Sequence, residues 1–194
     1  MFNTKADRAE NLKRLGCLIA ILCFAAVVAG FFAPLHSPKH RAEDLLKKGA
    51  AAFDAQDFET AAKCFTSAAE LGNAEAQYQL GLLSYQEKLA IGDKSEPAKW
   101  ILKAAENGHA EAQMLLSLLY HEGEWIEKND AESIKWLRKA AEQGHVDAQV
   151  CLGECYRTGE GVEKDLAEAK KWFEKAAAQG NGAAKALLRR LASE

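Results

Sequence analysis

A single interval of 36 residues repeats through most of this 194-residue chain, and it constrains the fold more than any other feature. The residues that keep this interval are Gly72, Gly108, Gly144 and Gly180; Trp100, Trp136 and Trp172; the alanine pairs at 68–69, 104–105, 140–141 and 176–177; Ala76, Ala112, Ala148 and Ala184; and Leu80, Leu116, Leu152 and Leu188. Self-similarity at a fixed period of this length is typical of stacked repeat proteins, in which each unit buries its apolar face against its neighbours. The sequence therefore predicts a solenoid.

Each unit divides into two short helices joined by a turn. In the last full unit, small or apolar residues between Ala148 and Cys155 fall at helical spacing on one face, and a turn containing Gly159 and Gly161 follows. An aspartate or asparagine then precedes a glutamate by three residues in each unit, as Asp165 and Glu168, Asn129 and Glu132, and Asp93 and Glu96. This spacing predicts a capping box at the start of each second helix, in which each side chain bonds the other residue's backbone N–H. The glycine that ends each unit suits the left-handed residue after a helix.

Taken together, these residues resemble the Sel-one-like repeat, a relative of the tetratricopeptide repeat. The shared pattern is A-x-x-x-L-G-x-x-Y-x-x-G-x-G-V-x-K-D followed by A-x-x-W-x-x-K-A-A-x-x-G, which residues 148–180 match almost throughout and residues 112–144 match well. Residues 76–108 match in part, because QEKLAIGDK replaces the glycine turn and Ser84 stands at the tyrosine position. The resemblance covers residues 42–194. It implies an all-α fold, a right-handed α/α solenoid of stacked helical hairpins, and a binding scaffold, since function lies in sites and not in the fold itself.

The period also sets the segment boundaries. The predicted order is a basic tail at 1–14, a transmembrane anchor at 15–35, a linker at 36–41, a tetratricopeptide-like first hairpin at 42–72, repeats at 73–108, 109–144 and 145–180, and a capping helix at 181–194. Arg189 occupies the helix-packing position that Gly153 holds one unit earlier. A charged side chain there is expected to end the stack, because the ends of a solenoid need a polar outer face.

The N-terminal segment has a different composition from the repeats. Residues 15–38 contain no Lys, Arg, Asp or Glu, and residues 16–35 are almost wholly apolar. About twenty such residues span a hydrocarbon core of about 30 Å. Basic residues precede this run and also follow it, so the charge bias is weak. It favours a single-pass anchor in the inner (cytoplasmic) membrane of a bacterial-type envelope, with the repeat domain periplasmic or extracytoplasmic. The alternative is a cleaved signal peptide with residues 28–30 as its cleavage site.

Charge argues against nucleic acid as a partner. The whole chain has a formal net charge of −3, and acidic residues outnumber basic ones in residues 42–194. A surface that binds phosphates needs clustered Lys and Arg, and residues 42–194 carry no such cluster. The linker HSPKHR at 36–41 is mildly basic; it is either a plain membrane-flanking linker or a segment that lies near anionic headgroups.

No set of residues in the sequence forms a catalytic constellation. There is no glycine-rich phosphate loop and no G-x-S-x-G nucleophile motif. His109 and His145 each follow a helix-end glycine, and a residue repeated once per unit indicates a capping role in place of catalysis. Cys151 and Cys155 lie one helical turn apart, which permits a strained disulfide or a metal pair, but no further His or Cys at ligand spacing completes a site. We expect Cys151 and Cys155 to be small, buried core residues. For the whole chain we expect no catalytic activity, no cofactor and no bound metal.

A partner-binding surface is predicted on the first helix of each unit. In tetratricopeptide-type arrays these helices line the concave face, and the residues that flank the Leu-Gly packing pair point into it. Carried over by register, the candidate groove residues are Leu46, Phe53, Tyr78, Leu82, Tyr85, Met114, Leu118, His121, Val150, Glu154 and Arg157. This stripe is apolar and aromatic in three units and polar in the last, which suits an extended peptide or an amphipathic helix. The alternative is that these side chains pack on the neighbouring first helix.

The tryptophans fall into two groups. Trp100, Trp136 and Trp172 keep the period and are expected in the core, between the hairpins of successive units. Trp125 lies outside the period, and we expect it to fold over its own turn with partial exposure. Contact with a partner is the alternative role for Trp125, because Trp is enriched at binding hot spots.

Two functions are compatible with the sequence. The first is a membrane-anchored repeat scaffold that mediates protein–protein interactions through a concave helical groove, without catalysis. The second is a cell-envelope enzyme or ligand binder of the β-lactam or peptidoglycan type, which the cysteine-rich Sel-one-like proteins suggest. Those relatives close each hairpin with a disulfide, and alanine stands at the partner position here, as Ala105, Ala141 and Ala177. The missing disulfide and the missing nucleophile favour the first function.

Overall fold

A computed structural model describes residues 37–85, 95–123 and 125–192, and all regular structure in these ranges is helical. The helices are α1 (Pro38–Asp54), α2 (Phe58–Glu70), α3 (Ala74–Tyr85), α4 (Ser95–Glu106), α5 (Ala110–Glu122), α6 (Asp130–Glu142), α7 (Val146–Thr158), α8 (Leu166–Ala178) and α9 (Gly182–Leu191). The predicted anchor at 15–35 and the predicted cap Asp93 lie outside the described residues. No helix within the described ranges is both long enough and apolar enough to cross a membrane.

The helices pack in the order of the chain. Contacts within the pairs α3–α4, α5–α6 and α7–α8 alternate with contacts between successive pairs, from α2–α3 through to α8–α9. The repeats belong to one compact unit, Ala42–Glu194. This arrangement confirms the all-α fold of stacked helical hairpins, whereas the right-handed sense of the solenoid stays a prediction. We call α1, α3, α5, α7 and α9 the first helices, and α2, α4, α6 and α8 the second helices.

Helix α1 begins before the predicted end of the linker. Pro38 is its first residue, and proline fits the first turn of a helix because no intrahelical N–H bond is needed there. The hydroxyl of Ser37 accepts the backbone N–H of His40 at 3.2 Å, as an N-cap does. Residues 38–41, predicted as linker, therefore form the start of α1.

The periodic tryptophans connect each pair of helices to the preceding pair. Trp136 in α6 packs among core residues of α4 and α5, and Trp172 in α8 packs among those of α6 and α7. Each is only 6% exposed, while Trp100 is half-buried against the first core cluster. The predicted core role is confirmed for Trp136 and Trp172 and holds in part for Trp100. Trp125 is half-buried against the α4–α5 core, as expected for a side chain that covers its own turn.

The first helices begin with a side-chain cap at the same register in every unit. The Nδ1 atom of His109 accepts the N–H of Ala112 at 3.2 Å, and His145 does the same for Ala148. Asparagines cap the helices on either side of these two, as Asn73 for α3 and Asn181 for α9. The predicted capping role of the two histidines is confirmed.

In α6 and α8, only one of the two hydrogen bonds of the predicted capping box is present. Asp165 accepts the N–H of Glu168 at 3.0 Å, as predicted. The reciprocal bond is absent, because the N–H of Asp165 donates to the carbonyl of Tyr156 at 2.8 Å and Glu168 pairs with Lys171. The same arrangement recurs one unit earlier, with Asn129, Glu132, Tyr120 and Lys135. The turn brings the cap N–H against the last turn of the first helix, so this N–H is already bonded. The prediction of a reciprocal box was wrong.

A ladder of buried amides joins successive units. Gln149 donates to the carbonyl of Ala141 at 3.1 Å, and its side-chain oxygen accepts from Gln179 at 2.9 Å. Equivalent bonds occur at Gln113 with Ala105 and Gln143, and at Gln77 with Ala69 and Asn107. Each of these amides uses both its donor and its acceptor, as buried polar groups generally do. The ladder thereby ties each first helix to the second helices before and after it.

Candidate functional site

In the described part of the chain, grooves open between the successive first helices α1 and α3 and between α5 and α7. The α1/α3 groove, of about 440 Å³, is lined by Leu46, Lys47, Ala50, Phe53, Asp54, Phe65, Glu75 and Gln79. The α5/α7 groove, of about 360 Å³, is lined by Met114, Ser117, Leu118, His121, Lys128, Asp130, Ser133, Ile134, Leu137, Val150, Cys151, Glu154, Cys155, Thr158, Glu160 and Gly161. With Gly49 of α1 aligned on Ser117 of α5, Leu46, Ala50 and Phe53 correspond to Met114, Leu118 and His121. The two grooves therefore lie on the same, first-helix side of the stack.

The lining of the α5/α7 groove differs from the equivalent positions of the next unit. In the last full unit, a Cβ atom on Gly153 would lie 2.5 Å from a ring carbon of Phe173, so α7 and α8 are in tight contact there. One unit earlier, Ser117 and Leu137 occupy the equivalent positions. Leu137 is smaller than phenylalanine and lines the groove. The α5/α7 groove therefore has Ser117 and Leu137 in its lining where the next unit has a glycine–phenylalanine contact.

Two serines close the floor of this groove. The hydroxyl oxygens of Ser117 and Ser133 lie 3.1 Å apart, and the Ser133 hydroxyl donates to the carbonyl of Ser117 at 2.8 Å. Both side chains are buried. Because Ser133 donates to the carbonyl, the Ser117 hydroxyl can donate in turn to Ser133. The two hydroxyls of the floor are therefore hydrogen-bonded within the protein and do not need a hydrogen bond from a ligand.

The walls of the α5/α7 groove are mainly apolar. Met114 and Leu118 come from α5, Ile134 and Leu137 from α6, and Val150 from α7. Leu118 is 40% exposed and is one of three large hydrophobic side chains that are exposed in the described part of the chain, with Leu71 and Leu166. Apolar surface left open in a groove is typical of a site that binds another molecule.

The two cysteines of α7 also line the groove. Both are free thiols and half-buried. Burial raises the pKa of the Cys155 thiol to about 11 and raises the pKa of Cys151 in the same direction. A thiol must lose its proton to act as a nucleophile or metal ligand, so burial makes both poorly reactive at neutral pH. Within the described residues, no group of three or more His, Cys, Asp or Glu is placed to hold a metal ion.

Charged side chains surround the mouth of the groove. The His121 imidazole lies 3.4 Å from the Asp130 carboxylate and 4.0 Å from that of Glu160. Lys128 lies 3.5 Å from the same Asp130 carboxylate, and on α7 the guanidinium of Arg157 donates to Glu154 at 2.7 Å. His121, Asp130 and Lys128 are about half exposed, so their mutual pairing contributes little to stability.

Some of the predicted groove residues line a groove in the structure, and others do not. The structure brings together Met114, Leu118, His121, Val150 and Glu154 in the α5/α7 groove, and Leu46 and Phe53 in the α1/α3 groove. Arg157 lies beside the first of these through its bond to Glu154. Leu82 is half-buried in α3, and the side chain of Tyr85 lies outside the described residues.

Tyr78 does not line either groove and packs on the neighbouring first helix, which was the alternative to a groove position. Its ring stacks on the His109 ring with centroids 4.6 Å apart, so it packs against the start of the next first helix. Because Nδ1 of His109 accepts the capping N–H, its Nε2 carries the proton and donates to Glu75 at 2.7 Å. This hydrogen bond lowers the pKa of the Glu75 carboxyl, and burial raises the pKa of the Tyr78 hydroxyl. Tyr78 thus contributes to the packing between units.

Sequence reasoning from the first helices missed the second-helix side of the α5/α7 groove. The residues missed there are Lys128, Asp130, Ser133, Ile134 and Leu137, and those missed on the first helices and the turn after α7 are Ser117, Cys151, Cys155, Thr158, Glu160 and Gly161. One signal for them was present, because Ser117 interrupts the register at which Gly81 and Gly153 stand. A residue that departs from a packing position in only one unit marks the place where the stack itself differs.

The sequence profile of the Sel1 repeat matches four consecutive segments, residues 45–73, 74–109, 110–145 and 146–181. No curated protein matches the chain significantly. Among solved structures, a Sel1 repeat protein from Oxalobacter formigenes is 37% identical, with a TM-score of 0.62 over 65% of this chain and 95% of that one. Its similarity extends along nearly its whole length.

Two further structures share the architecture. A protective antigen present in uropathogenic Escherichia coli strains, which displays an SLR fold, is 37% identical with a TM-score of 0.69 over 74% of this chain. The match covers 32% of that protein, so the present chain spans about a third of its length. Cysteine rich protein B of Helicobacter pylori is 24% identical, with a TM-score of 0.55 over 68% of this chain and 95% of that one, and shows likeness of fold alone.

Proposed function

The chain belongs to the Sel1 repeat family of helical scaffolds, and from that premise we propose that it is a protein-interaction module that binds a partner segment in the α5/α7 groove. The observation that carries this proposal is the exposed Leu118, which stands in an apolar groove of about 360 Å³. That volume lies within the range of about 300–1,000 Å³ that is usual for binding pockets. A partner side chain that entered it would cover Leu118 and Met114.

The proposal assigns the groove a binding role and no reaction. The thiols that line it have raised pKa values, and nucleophilic chemistry needs the opposite shift. The histidine at its mouth, His121, is exposed and lies beside two carboxylates. Repeat scaffolds act by presenting a surface, and the exposed apolar patch at this groove is such a surface.

We further propose that residues 15–35 anchor the module in the cytoplasmic membrane, with the repeats on the extracytoplasmic side. The apolar run at 16–35 is long enough to span a bilayer, and Lys5, Arg8, Lys13 and Arg14 precede it. The anchor would concentrate the groove near the membrane surface, where it could meet membrane-bound partners.

The test compares two leucines of equal exposure. Leu118 is 40% exposed inside the groove, whereas Leu166 is 41% exposed at the start of α8 and outside it. The full chain, Leu118→Ser and Leu166→Ser are each solubilised in mild detergent, immobilised and exposed to extracts of the native cells. We expect at least one protein to be retained by the parent and by Leu166→Ser and to be lost from Leu118→Ser.

Thermal unfolding of both variants provides the control for folding. Since both leucines are exposed, each substitution should leave the unfolding temperature within a few degrees of the parent. Equal retention of every bound protein by Leu118→Ser and Leu166→Ser would contradict the proposed binding site. A Leu118→Ser variant that melts far below the parent would assign Leu118 to the core.

A further inference from the structure

The charges of the first-helix side indicate what kind of partner the groove accepts. Building on the proposed function, we infer that the partner segment is cationic: a peptide that places one large apolar side chain in the α5/α7 groove and sets lysine or arginine residues against the carboxylates around it. The inference rests on three observations, which are the segregation of charge between helices, the acidic rim of the groove and the apolar space within it.

Charge is distributed unequally between the first and second helices. The central first helices, α3, α5 and α7, carry the carboxylates Glu75, Glu111, Glu122, Asp147 and Glu154 and a single arginine or lysine, Arg157. The second helices α4, α6 and α8 carry acidic and basic residues in nearly equal number. The groove therefore opens on the more acidic side of the stack. A potential of this sign attracts basic segments and repels acidic ones.

The rim of the groove repeats this bias at close range. Asp130, Glu154 and Glu160 line the groove together with one lysine, Lys128. Arg157 and Lys128 already lie against Glu154 and Asp130, at 2.7 and 3.5 Å. Glu160 lies 4.0 Å from the His121 imidazole and has no lysine or arginine within ion-pair distance in the described part of the chain. A lysine or arginine of the partner can approach Glu160 from solvent without displacing an existing basic side chain of the groove.

The space inside the groove selects an apolar anchor. Met114, Leu118, Ile134, Leu137 and Val150 line it, and the serine hydroxyls of its floor bond each other. A polar side chain placed there would lose its hydration without gaining a partner, whereas a leucine, phenylalanine or methionine would gain contact. The recognition element is therefore an apolar residue with basic residues near it in sequence.

The other groove lacks this combination. Each groove is lined by one lysine, but the α1/α3 groove has two lining carboxylates, Asp54 and Glu75, where the α5/α7 groove has three, and the hydrogen bond from His109 engages Glu75. Its helix α1 carries Lys39, Arg41, Lys47 and Lys48 beside its acidic residues. We therefore place recognition of the basic segment at the α5/α7 groove alone.

A random dodecapeptide library displayed on phage is the probe, selected against the full chain in mild detergent at low salt. We expect the enriched peptides to combine Lys or Arg with at least one Leu, Ile, Phe or Met, and to lose binding to Leu118→Ser but not to Leu166→Ser. The best peptide is then synthesised, and its Kd is measured for two charge variants by fluorescence anisotropy.

The two charge variants remove equal charge from opposite sides. Glu154→Gln combined with Glu160→Gln removes two carboxylates from the groove, and Glu142→Gln combined with Glu174→Gln removes two from the second helices. We expect the first pair to raise the Kd about tenfold at low salt, because each lost ion pair with the peptide removes a modest amount of binding free energy. The second pair should change the Kd less than twofold. The effect of the first pair should shrink as salt is added.

The outcomes separate this inference from the proposed function. Enriched peptides that are neutral or acidic, yet depend on Leu118, would leave the groove as a binding site and overturn its preference for basic segments. Basic peptides that bind Leu118→Ser as well as the parent would show attraction by net charge alone and overturn the inference. A selection that yields no peptide dependent on Leu118 would overturn both.

Discussion

Trp136→Ala removes the side chain that joins the third pair of helices to the second. Trp136 is 6% exposed and packs among Ile101, Leu116 and Leu119 of α4 and α5. Truncation of a buried tryptophan to alanine costs about 3–5 kcal/mol, which is a large part of the 5–15 kcal/mol that is typical for a domain. The substitution also removes the contact with Lys139, whose ammonium lies 3.8 Å from the ring centroid. We therefore expect a severe loss of stability.

Trp136→Phe separates packing from the indole N–H. The Nε1 atom of Trp136 is buried with no hydrogen-bond partner in the described structure. A buried donor without a partner costs about 1–3 kcal/mol, and phenylalanine relieves that cost while it keeps most of the ring volume. Trp136→Phe should therefore cost clearly less than Trp136→Ala. Trp100→Ala is the matched control, because Trp100 holds the same register but is only half-buried.

Thermal unfolding and hydrogen exchange measure this prediction. A loss of 3–5 kcal/mol should lower the unfolding temperature by at least about 6 °C in a domain of this size. Since each unit contacts only its neighbours, amide protection should fall most in α4 to α7 and least in α1 and α2. An unchanged unfolding temperature for Trp136→Ala, or an equal loss of protection in every helix, would refute the reasoning.

Three further predictions concern the helix contact, the thiols and the membrane. Gly153→Ala should destabilise the domain by about 1–3 kcal/mol, because the new Cβ meets the buried Phe173 ring at 2.5 Å, and Phe173→Leu should relieve it by at least about 1 kcal/mol in a double-mutant cycle of urea unfolding; independent, additive effects would contradict this. The pKa of Cys155 at about 11 leaves it protonated at neutral pH, so its alkylation by iodoacetamide, followed by mass spectrometry, should be slow at pH 7 and accelerate as pH rises toward 11; fast modification at pH 7 would exclude the raised pKa. Alkaline phosphatase fused after Glu194 should be active if the repeats are exported, whereas a stable but inactive fusion would place them in the cytoplasm.

The period of 36 residues is sufficient to predict the parts of the fold that recur. Trp136 and Trp172 lie in the core, and His109 and His145 cap their helices, because a residue repeated once per unit has the same neighbours in each. The buried glutamines were missed, although Gln77, Gln113 and Gln149 keep the same interval. A polar residue at a fixed core register indicates a repeated hydrogen bond, and the partner carbonyl, eight residues earlier, appears only once the helices are packed.

Features that depend on the approach of two helices were harder to predict. The reciprocal half of the capping box is absent because the N–H of Asp165 already donates to the carbonyl of Tyr156. Residue spacing within the second helix does not show that this carbonyl of the first helix lies within reach. The α5/α7 groove is lined by Ser117 and Leu137, where the next unit has Gly153 and Phe173, so its lining departs from the repeat. A consensus pattern describes what the units share, and this site lies where one unit differs.

Site-specific photocrosslinking tests the central claim, that a protein partner occupies the α5/α7 groove. p-Benzoylphenylalanine replaces Leu118 in one full-length chain and Leu166 in another, both expressed in the native cells. The two positions are matched in residue type and in exposure, at 40% and 41%, and differ in that only Leu118 lines the groove. Irradiation should yield a discrete crosslinked protein from position 118 and none from position 166. Equal crosslinking from both positions, or crosslinking from position 166 alone, would contradict the account.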